Sequence, residues 1–247
     1  QYALLIDLAG EDEAARSGTF TPDSDLQNAN RDATAITVVE VDLSKLDDAL
    51  LAKPCYKVVR RYHWLGEKHS TLYARILNLV AHWNATRVVV DASGVGAGVS
   101  SFLREKLGDC VTALTFNRQI KSKLAWGFLS VIDTGRFQDF KPKLRAERED
   151  GVLNPLAMVM QDEQDSLQAL FYKQLSAVSY EVSVGPERAI RWGVTDGTRD
   201  AEGTLIHDDL VLSAAMVAVL DEQEWHLDYE PLLIQAVDPL LVIDGGY

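Results

Sequence analysis

Residues Arg87–Ser100 read RVVVDASGVGAGVS, and this run decides the fold class. Val88–Val90 are β-branched and apolar, as in a strand buried on both faces. Asp91 closes the run with a carboxylate. Gly94, Gly96 and Gly98 then punctuate a turn into a helix whose pattern runs through Leu107. A buried strand, an acid at its carboxyl end and a glycine turn into a helix form one unit of an open α/β sheet. Ligand crevices of such sheets lie at those strand ends.

Working outward, Tyr2–Leu8 (YALLIDL) repeats the theme: a buried strand running into Asp7. Residues 10–33 are rich in Gly, Asp, Asn, Ser and Thr and read as a long loop. Thr34–Leu43 and Tyr56–Trp64 read as strands. Ser70 is placed to cap a helix carrying Leu72, Ile76, Leu79, Val80 and Trp83 at helical spacing. Val111–Phe116 reads as a further strand, and Leu124, Phe128, Val131 and Ile132 mark another helix. Residues 137–155 read as a charged loop, Leu156–Val178 as a helix, and Val182–Val194 as a hairpin around Gly185-Pro186. Asp208–Leu220 is apolar almost all round, which predicts a buried helix. The first three strands can form an antiparallel meander. The helix after them allows a crossover that lays the fourth strand parallel to the first. Asp7 and Asp91 then stand at neighbouring strand ends.

The chain has 247 residues, 47% of them hydrophobic and 25% charged, the composition of a folded domain rather than a disordered or fibrous chain. No apolar run of about 18 residues predicts a membrane span. Two cysteines, Cys55 and Cys110, cannot form a disulfide framework or a Cys-rich zinc site. A strand-like run directly after Gln1, without an initiator methionine, reads as part of a longer or processed protein. The net charge of −13 is uneven. Residues 221–247 carry seven acids and no Lys or Arg, and residues 7–32 carry seven acids against Arg16 and Arg31. The body between them is near neutral, so local basic surface is possible at Lys57/Arg60/Arg61, Arg118/Lys121/Lys123 and Lys141/Lys143/Arg145/Arg148.

Asp7, Asp91 and the pair Asp208/Asp209 sit against apolar runs, where an unpaired carboxylate costs several kcal/mol. No Lys or Arg lies beside Asp7 or Asp91 in sequence. Divalent cations would supply the missing charge, and oxygen-only ligands select Mg²⁺ or Mn²⁺ over zinc. The competing readings are a helix cap for Asp208 or Asp91 and a solvent-facing strand end for Asp7. Adjacent helical residues differ by about 100°, so Asp208 and Asp209 cannot point equally into one site. Asp209 shares its face with Ser213 and is the favoured ligand, with Asp208 in support. His207 could tune the pair or move a proton, but reads better as structural. The run SGVGAGVSS lacks the Lys-Ser/Thr of a Walker loop and the spacing of a nucleophile elbow. It reads as a tight turn with close helix packing, though its N–H groups could still touch a phosphate.

Five segments together resemble a known family: IDLAGEDE, RDATAITVVEVD, VVVDASGVGAGVSSFL, KSKLAWGFLSVIDTGRF and HDDLVLSAAMVA. They are similar to the nuclease domain of the large terminase subunit of tailed bacteriophages, over roughly residues 2–220. The resemblance implies an RNase H-like fold with a mixed five-stranded central sheet flanked by helices on both faces. It implies residues 1–220 as the nuclease domain and 221–247 as an acidic tail. It also implies an endonuclease that cuts double-stranded viral DNA concatemers during packaging. Asp7, Asp91, Asp209 and Asp208 would hold two Mg²⁺ or Mn²⁺ ions about 4 Å apart. Lys121, Lys123, Lys141, Lys143 and Arg145 would grip the DNA backbone. Implied partners are a terminase ATPase domain, a small terminase subunit and a portal, in the cytoplasm of a bacterial host. The acidic insert at 11–31 departs from the family pattern, and no Walker motif is present.

Two other readings compete. Actin/hexokinase-like phosphotransferases share such a core, and Asp196-Gly197-Thr198 is reminiscent of their phosphate loops. They normally carry the core twice, and this chain has room for about one. A non-catalytic module docking on DNA or a portal would gain nothing from acids clustered near phosphates.

Overall fold

The computed structural model describes residues 1–9, 33–94, 96–140, 155–184 and 188–225, with residues 155–161 as backbone only. The insert at 11–31, the turn at Gly185-Pro186 and most of the acidic tail lie outside the described residues. Three strands open the chain: β1 (Tyr2–Asp7), β2 (Ala33–Asp42) and β3 (Cys55–Leu65). Helix α1 (His69–Trp83) leads to β4 (Ala85–Asp91), α2 (Gly96–Leu107) and β5 (Val111–Leu114). Then come α3 (Arg118–Asp133), β6 (Phe137–Gln138), α4 (Pro155–Ala177), β7 (Val178–Val182), β8 (Ile190–Val194), α5 (Asp209–Ala215) and α6 (Val217–Asp221).

β1 to β3 form the expected antiparallel meander, and β4 lies parallel to β1. The main sheet runs β5-β4-β1-β2-β3-β6, and β7 and β8 form a separate hairpin. The mixed sheet with helices on both faces is therefore present. Its sixth strand is the two-residue β6, too short to leave a periodic trace in sequence. β1 takes the middle because Ala3–Asp7 are all buried, so both its faces can be covered.

Alternation along the strands builds two cores. Leu4, Ile6, Val88 and Val90 pack with Ile76 of α1 and Leu103 of α2. Ala3, Leu5, Val89 and Ala35 face the other way, against Phe128 of α3, Leu210 of α5 and Met216 between α5 and α6. α5 is buried all round, as its composition requires. The single helix expected over Asp208–Leu220 is divided at Met216, whose N–H is shared between the carbonyls of Leu212 (3.3 Å) and Ser213 (3.2 Å).

Two local expectations change. Ser70 does not cap α1: the cap position is Lys68, two residues earlier, with no side-chain cap bond. The first helical bond runs from Leu72 N to Lys68 O (2.9 Å), which leaves Ser70 inside the first turn. Arg61 is no part of a basic surface, being fully buried. Its guanidinium pairs with Asp139 (2.9 Å) and lies 4.2 Å from the centre of the Phe171 ring. Gln164 of α4 accepts from the Arg61 backbone N–H (2.8 Å) and donates to its carbonyl (2.9 Å), closing a stretch of β3 edge.

Residues just after 220 are held on the body. Asp221 makes a forked ion pair with Arg136 and accepts from the Tyr56 hydroxyl (3.1 Å). Gln223 accepts from Arg87 (3.0 Å), whose guanidinium stands over Trp225.

Gly127 is where α3 meets α6. A methyl there would lie 2.6 Å from the Ala218 Cβ, an atom fixed to its backbone. Alanine gains ~1 kcal/mol of helix propensity, but overpacking costs about 1–3 kcal/mol. Gly127→Ala should therefore lower the melting temperature. Gly98→Ala, whose methyl would meet nothing within 4 Å, should raise it. Thermal melts of the two variants check this, and equal shifts would count against the tight α3–α6 contact.

Candidate metal centre

The site begins as a row of residues across the sheet. Asp7 pairs with Ala35, and Ala35 pairs with His63. Cross-strand partners share a face, so the Asp7 and His63 side chains flank the small Ala35. On the other side, the β1–β4 register of Ile6 with Val90 brings Asp91 beside Asp7. Asp91 is two residues on from Val89, which belongs to the same core as Leu5, so it stands on the same face. Its Oδ1 accepts from Ser93 N–H (2.7 Å), which starts the turn after the strand. Gly96 is needed there because a methyl would meet the Asp91 carbonyl at 2.8 Å. The glycine run is thus a tight turn with close helix packing.

α5 brings the third acid. Ser213, fully buried, donates to the Leu5 carbonyl (2.8 Å) and shares a hydrogen bond with Thr37 Oγ1 (2.9 Å). This bolts the helix across β1 and β2. Asp209 lies one turn earlier on the same helix face and so reaches the strand ends. Its Oδ2 accepts from Ala33 N–H (3.0 Å) and lies 3.7 Å from His63 Nε2. Gln174 of α4 accepts from Leu210 N–H (2.9 Å) and fixes the start of α5.

Asp208 turns elsewhere. Its Oδ2 accepts from Val194 N–H of β8 (3.3 Å). A methyl on Gly193 would come within 2.7 Å of that oxygen, at a φ of +139° that side chains rarely adopt. Asp208 therefore ties the hairpin to the start of α5, while Asp209 joins the row.

Asp7, Asp91 and Asp209 are each less than one-tenth exposed. The Asp7 carboxyl is pushed well above the usual carboxylate range, by burial first and then by the charges of Asp209, Asp91 and Asp208. Asp208 is raised too, mainly by burial. Lys121 opposes both shifts. Among the described residues, no Lys or Arg forms an ion pair with Asp7, Asp91 or Asp209. An all-oxygen donor set short of positive charge fits a hard dication such as Mg²⁺ or Mn²⁺. The set is convergent but not drawn tight: among the described residues no three His, Cys, Asp or Glu side chains form a ready metal-holding group.

Of the expected DNA-gripping residues, Lys121 is exposed and electrostatically coupled to Asp7 and Asp208. Lys123 is paired with Glu222 (2.6 Å). Lys141, Lys143 and Arg145 lie outside the described residues. His207 lines a cavity of about 190 Å³ beside Asp209, together with His63, Lys173 and Leu205. His63 and Gln174 were not legible as site residues, because each gains its role only through a strand register or a helix packing. Asp196-Gly197-Thr198 closes a turn in which Thr198 N–H and its hydroxyl both donate to the Thr195 carbonyl (3.1 and 2.6 Å).

A mixed sheet with acids at adjacent parallel strand ends and a third acid on a crossing helix is an RNase H-like arrangement. The family described as "Terminase RNaseH-like domain" matches residues 21–178, more than half of the chain, and the chain belongs to that family. It is 26% identical over 83 residues to the protein named "Probable terminase, ATPase subunit" of Haemophilus phage HP1, a match that spans 34% of this chain and only 14% of that relative's length. The fold is shared with the crystal structure of the large terminase nuclease from thermophilic phage G20c with bound magnesium. That similarity has a TM-score of 0.51 at 15% identity, over 88% of this chain and 80% of that one. Another structure of the G20c nuclease gives a TM-score of 0.51 at 15% identity, over 90% and 82% of the two chains. Among the described residues no helix is long and apolar enough to cross a membrane.

The raised Asp7 carboxyl has a stability consequence. The folded state keeps this proton to a higher pH than the unfolded chain, so metal-free stability falls as pH rises from about 4 through the raised value. Asp7→Asn removes that charge. In EDTA at pH 8 its melting temperature should exceed the wild type's by at least ~3 °C, which corresponds to ~1 kcal/mol in a domain of this size. The gap should shrink at pH 5. A variant that melts at or below the wild type at both pH values would show that Asp7 carries no charge strain.

Proposed function

We propose that this chain is the nuclease part of a phage large terminase, a metal-dependent endonuclease that cuts double-stranded DNA concatemers during genome packaging. The observation that carries this reading is the convergence of Asp7, Asp91 and Asp209 on one sheet face, buried and mutually repelling. Asp7, Asp91 and Asp209 would hold the divalent ions, with Asp208 alongside. Bound dications supply Lewis acidity: they lower the pKa of water and stabilise charge on the leaving oxygen. Ser213 fixes the height of α5 over the sheet, and Ala33 N–H fixes one oxygen of Asp209. The choice between Mg²⁺ and Mn²⁺, and the count of two ions, belong to the same proposal.

The substrate's phosphates need cationic partners around an acidic centre. Lys121 is the nearest candidate, because its charge already acts on Asp7 and Asp208. Lys123 would exchange Glu222 for a phosphate, and Lys141, Lys143 and Arg145 would extend the track. Phosphate contacts carry no base information, so binding should be largely indifferent to sequence. We further propose residues 1–220 as the working nuclease domain and 221–247 as an acidic tail. The terminase ATPase, the small subunit and the portal would be its partners, in the cytoplasm of the bacterial host.

Supercoiled plasmid should be nicked and linearised in Mn²⁺ and left intact in EDTA. Asp91→Ala should abolish cleavage while keeping a cooperative thermal transition. Full activity in that variant would remove Asp91 from the site, and metal-independent cleavage would overturn the mechanism. Duplex affinity should fall steeply with salt. Lys121→Ala should weaken binding uniformly across sequences and reduce the slope of log K against log salt by about 1. An unchanged slope in that fluorescence-anisotropy titration would place Lys121 off the DNA path.

A further inference from the structure

His63 is the residue at the acid cluster that neither composition nor motif points to. It is the far member of the row Asp7, Ala35, His63. Ala35 between them is only a methyl, so the space above it is shared by the Asp7 carboxyl, the imidazole and the incoming Asp209. Nε2 of His63 is shielded from solvent and has no hydrogen-bond partner. It lies 3.7 Å from Asp209 Oδ2, the same oxygen that accepts from Ala33 N–H at 3.0 Å. A buried ring nitrogen left unmatched beside a carboxylate oxygen is costly unless the two can bond. A shift of about 0.8 Å would bring them to ordinary hydrogen-bond length.

We infer that His63 is a positioning residue for Asp209: its Nε2–H joins Ala33 N–H on Oδ2 and so leaves Oδ1 as the oxygen offered to a metal ion. The inference rests on the nuclease reading above and adds a residue to it. A carboxylate with two free oxygens can rotate and bind either way. One whose Oδ2 is held by two donors presents the other oxygen in a fixed direction. Partners behind a ligand commonly carry ~10–100-fold of metal affinity or activity. Asp209 is the acid that needs this help most, since it arrives from a helix and not from the sheet that places Asp7 and Asp91.

Side-chain geometry separates positioning from mere filling of space. A glutamine amide nitrogen reaches roughly where Nε2 stands, whereas an asparagine amide falls short of it. Mn²⁺ alone is titrated into the chain and into His63→Gln, His63→Asn and His63→Ala by isothermal calorimetry. Plasmid nicking is measured in parallel, and melts in EDTA identify folded variants. The expected result is ~10–100-fold weaker Mn²⁺ binding in the Asn and Ala variants, with most of the affinity and nicking restored by Gln. Wild-type Mn²⁺ affinity in His63→Ala, or equal loss in His63→Gln and His63→Asn, overturns the inference while wild-type cleavage leaves the nuclease reading standing. A wild-type chain that neither binds Mn²⁺ nor nicks DNA overturns both.

Discussion

Repulsion among carboxylates in a dry place is the constraint around which this chain is built. Asp7, Asp91 and Asp209 are each buried, and burial first, then the charge of its neighbours, pushes the Asp7 carboxyl upward. An arrangement like this is unfavourable by itself and must be held by contacts made elsewhere. Two of the acids are held by the sheet: a parallel register places them side by side, and neither strand can slip by one residue without turning its acid to the other face. The third is held by Ser213, one hydroxyl reaching the Leu5 carbonyl and Thr37 inside the core. That explains why the apolar helix carries a serine. Its hydroxyl is fully satisfied, so it sets the helix register at little cost.

Farther along the same face of the sheet, in the row Leu5, Thr37, Arg61, a second buried charge is managed differently. Arg61 is fully buried, yet it has Asp139 on one edge and aromatic rings on its face. Gln164 binds the Arg61 backbone on both its N–H and its carbonyl. The pair and the amide together seat α4 against β3, and α4 in turn presents Gln174 to the first turn of α5. A chain of packed contacts thus runs from the sheet edge to the helix that delivers Asp209. The buried Arg61–Asp139 pair has its positive charge spoken for, so it does nothing to relieve the acids.

Much of this was legible in sequence, for physical reasons. Strands Tyr2–Leu8 and Arg87–Val90 declare themselves by apolar runs, and their terminal acids stand out because a carboxylate against such a run has no cheap explanation. The choice of Asp209 over Asp208 followed from helix geometry and the position of Ser213, and the two side chains do diverge. Family resemblance supplied the sheet's identity beyond what periodicity could. What was hidden depends on partners far along the chain. Arg61 reads as surface until Asp139, 78 residues on, is seen beside it. His63 gains meaning only two strands away from Asp7. Ser70 looked like a cap because its residue type favours that place, but the backbone turned two residues earlier. β6 is two residues long and leaves no pattern to read.

The adjacency of Asp208 and Asp209 is the point at which sheet, hairpin and site meet. One carboxylate receives the backbone N–H of Val194 and needs a glycine at 193 to come so close. The next receives the backbone N–H of Ala33. Two neighbouring side chains, Asp208 at the N-cap position and Asp209 in the first turn, therefore tie the start of α5 to β8 on one side and to β2 on the other. Both carboxylates sit in one electrostatic field, since each raises the Asp7 carboxyl. Neutralising that field acts at once on the strand ends and on the hairpin's anchor. The same pair of residues that brings negative charge to the site thus fixes the elements that surround it.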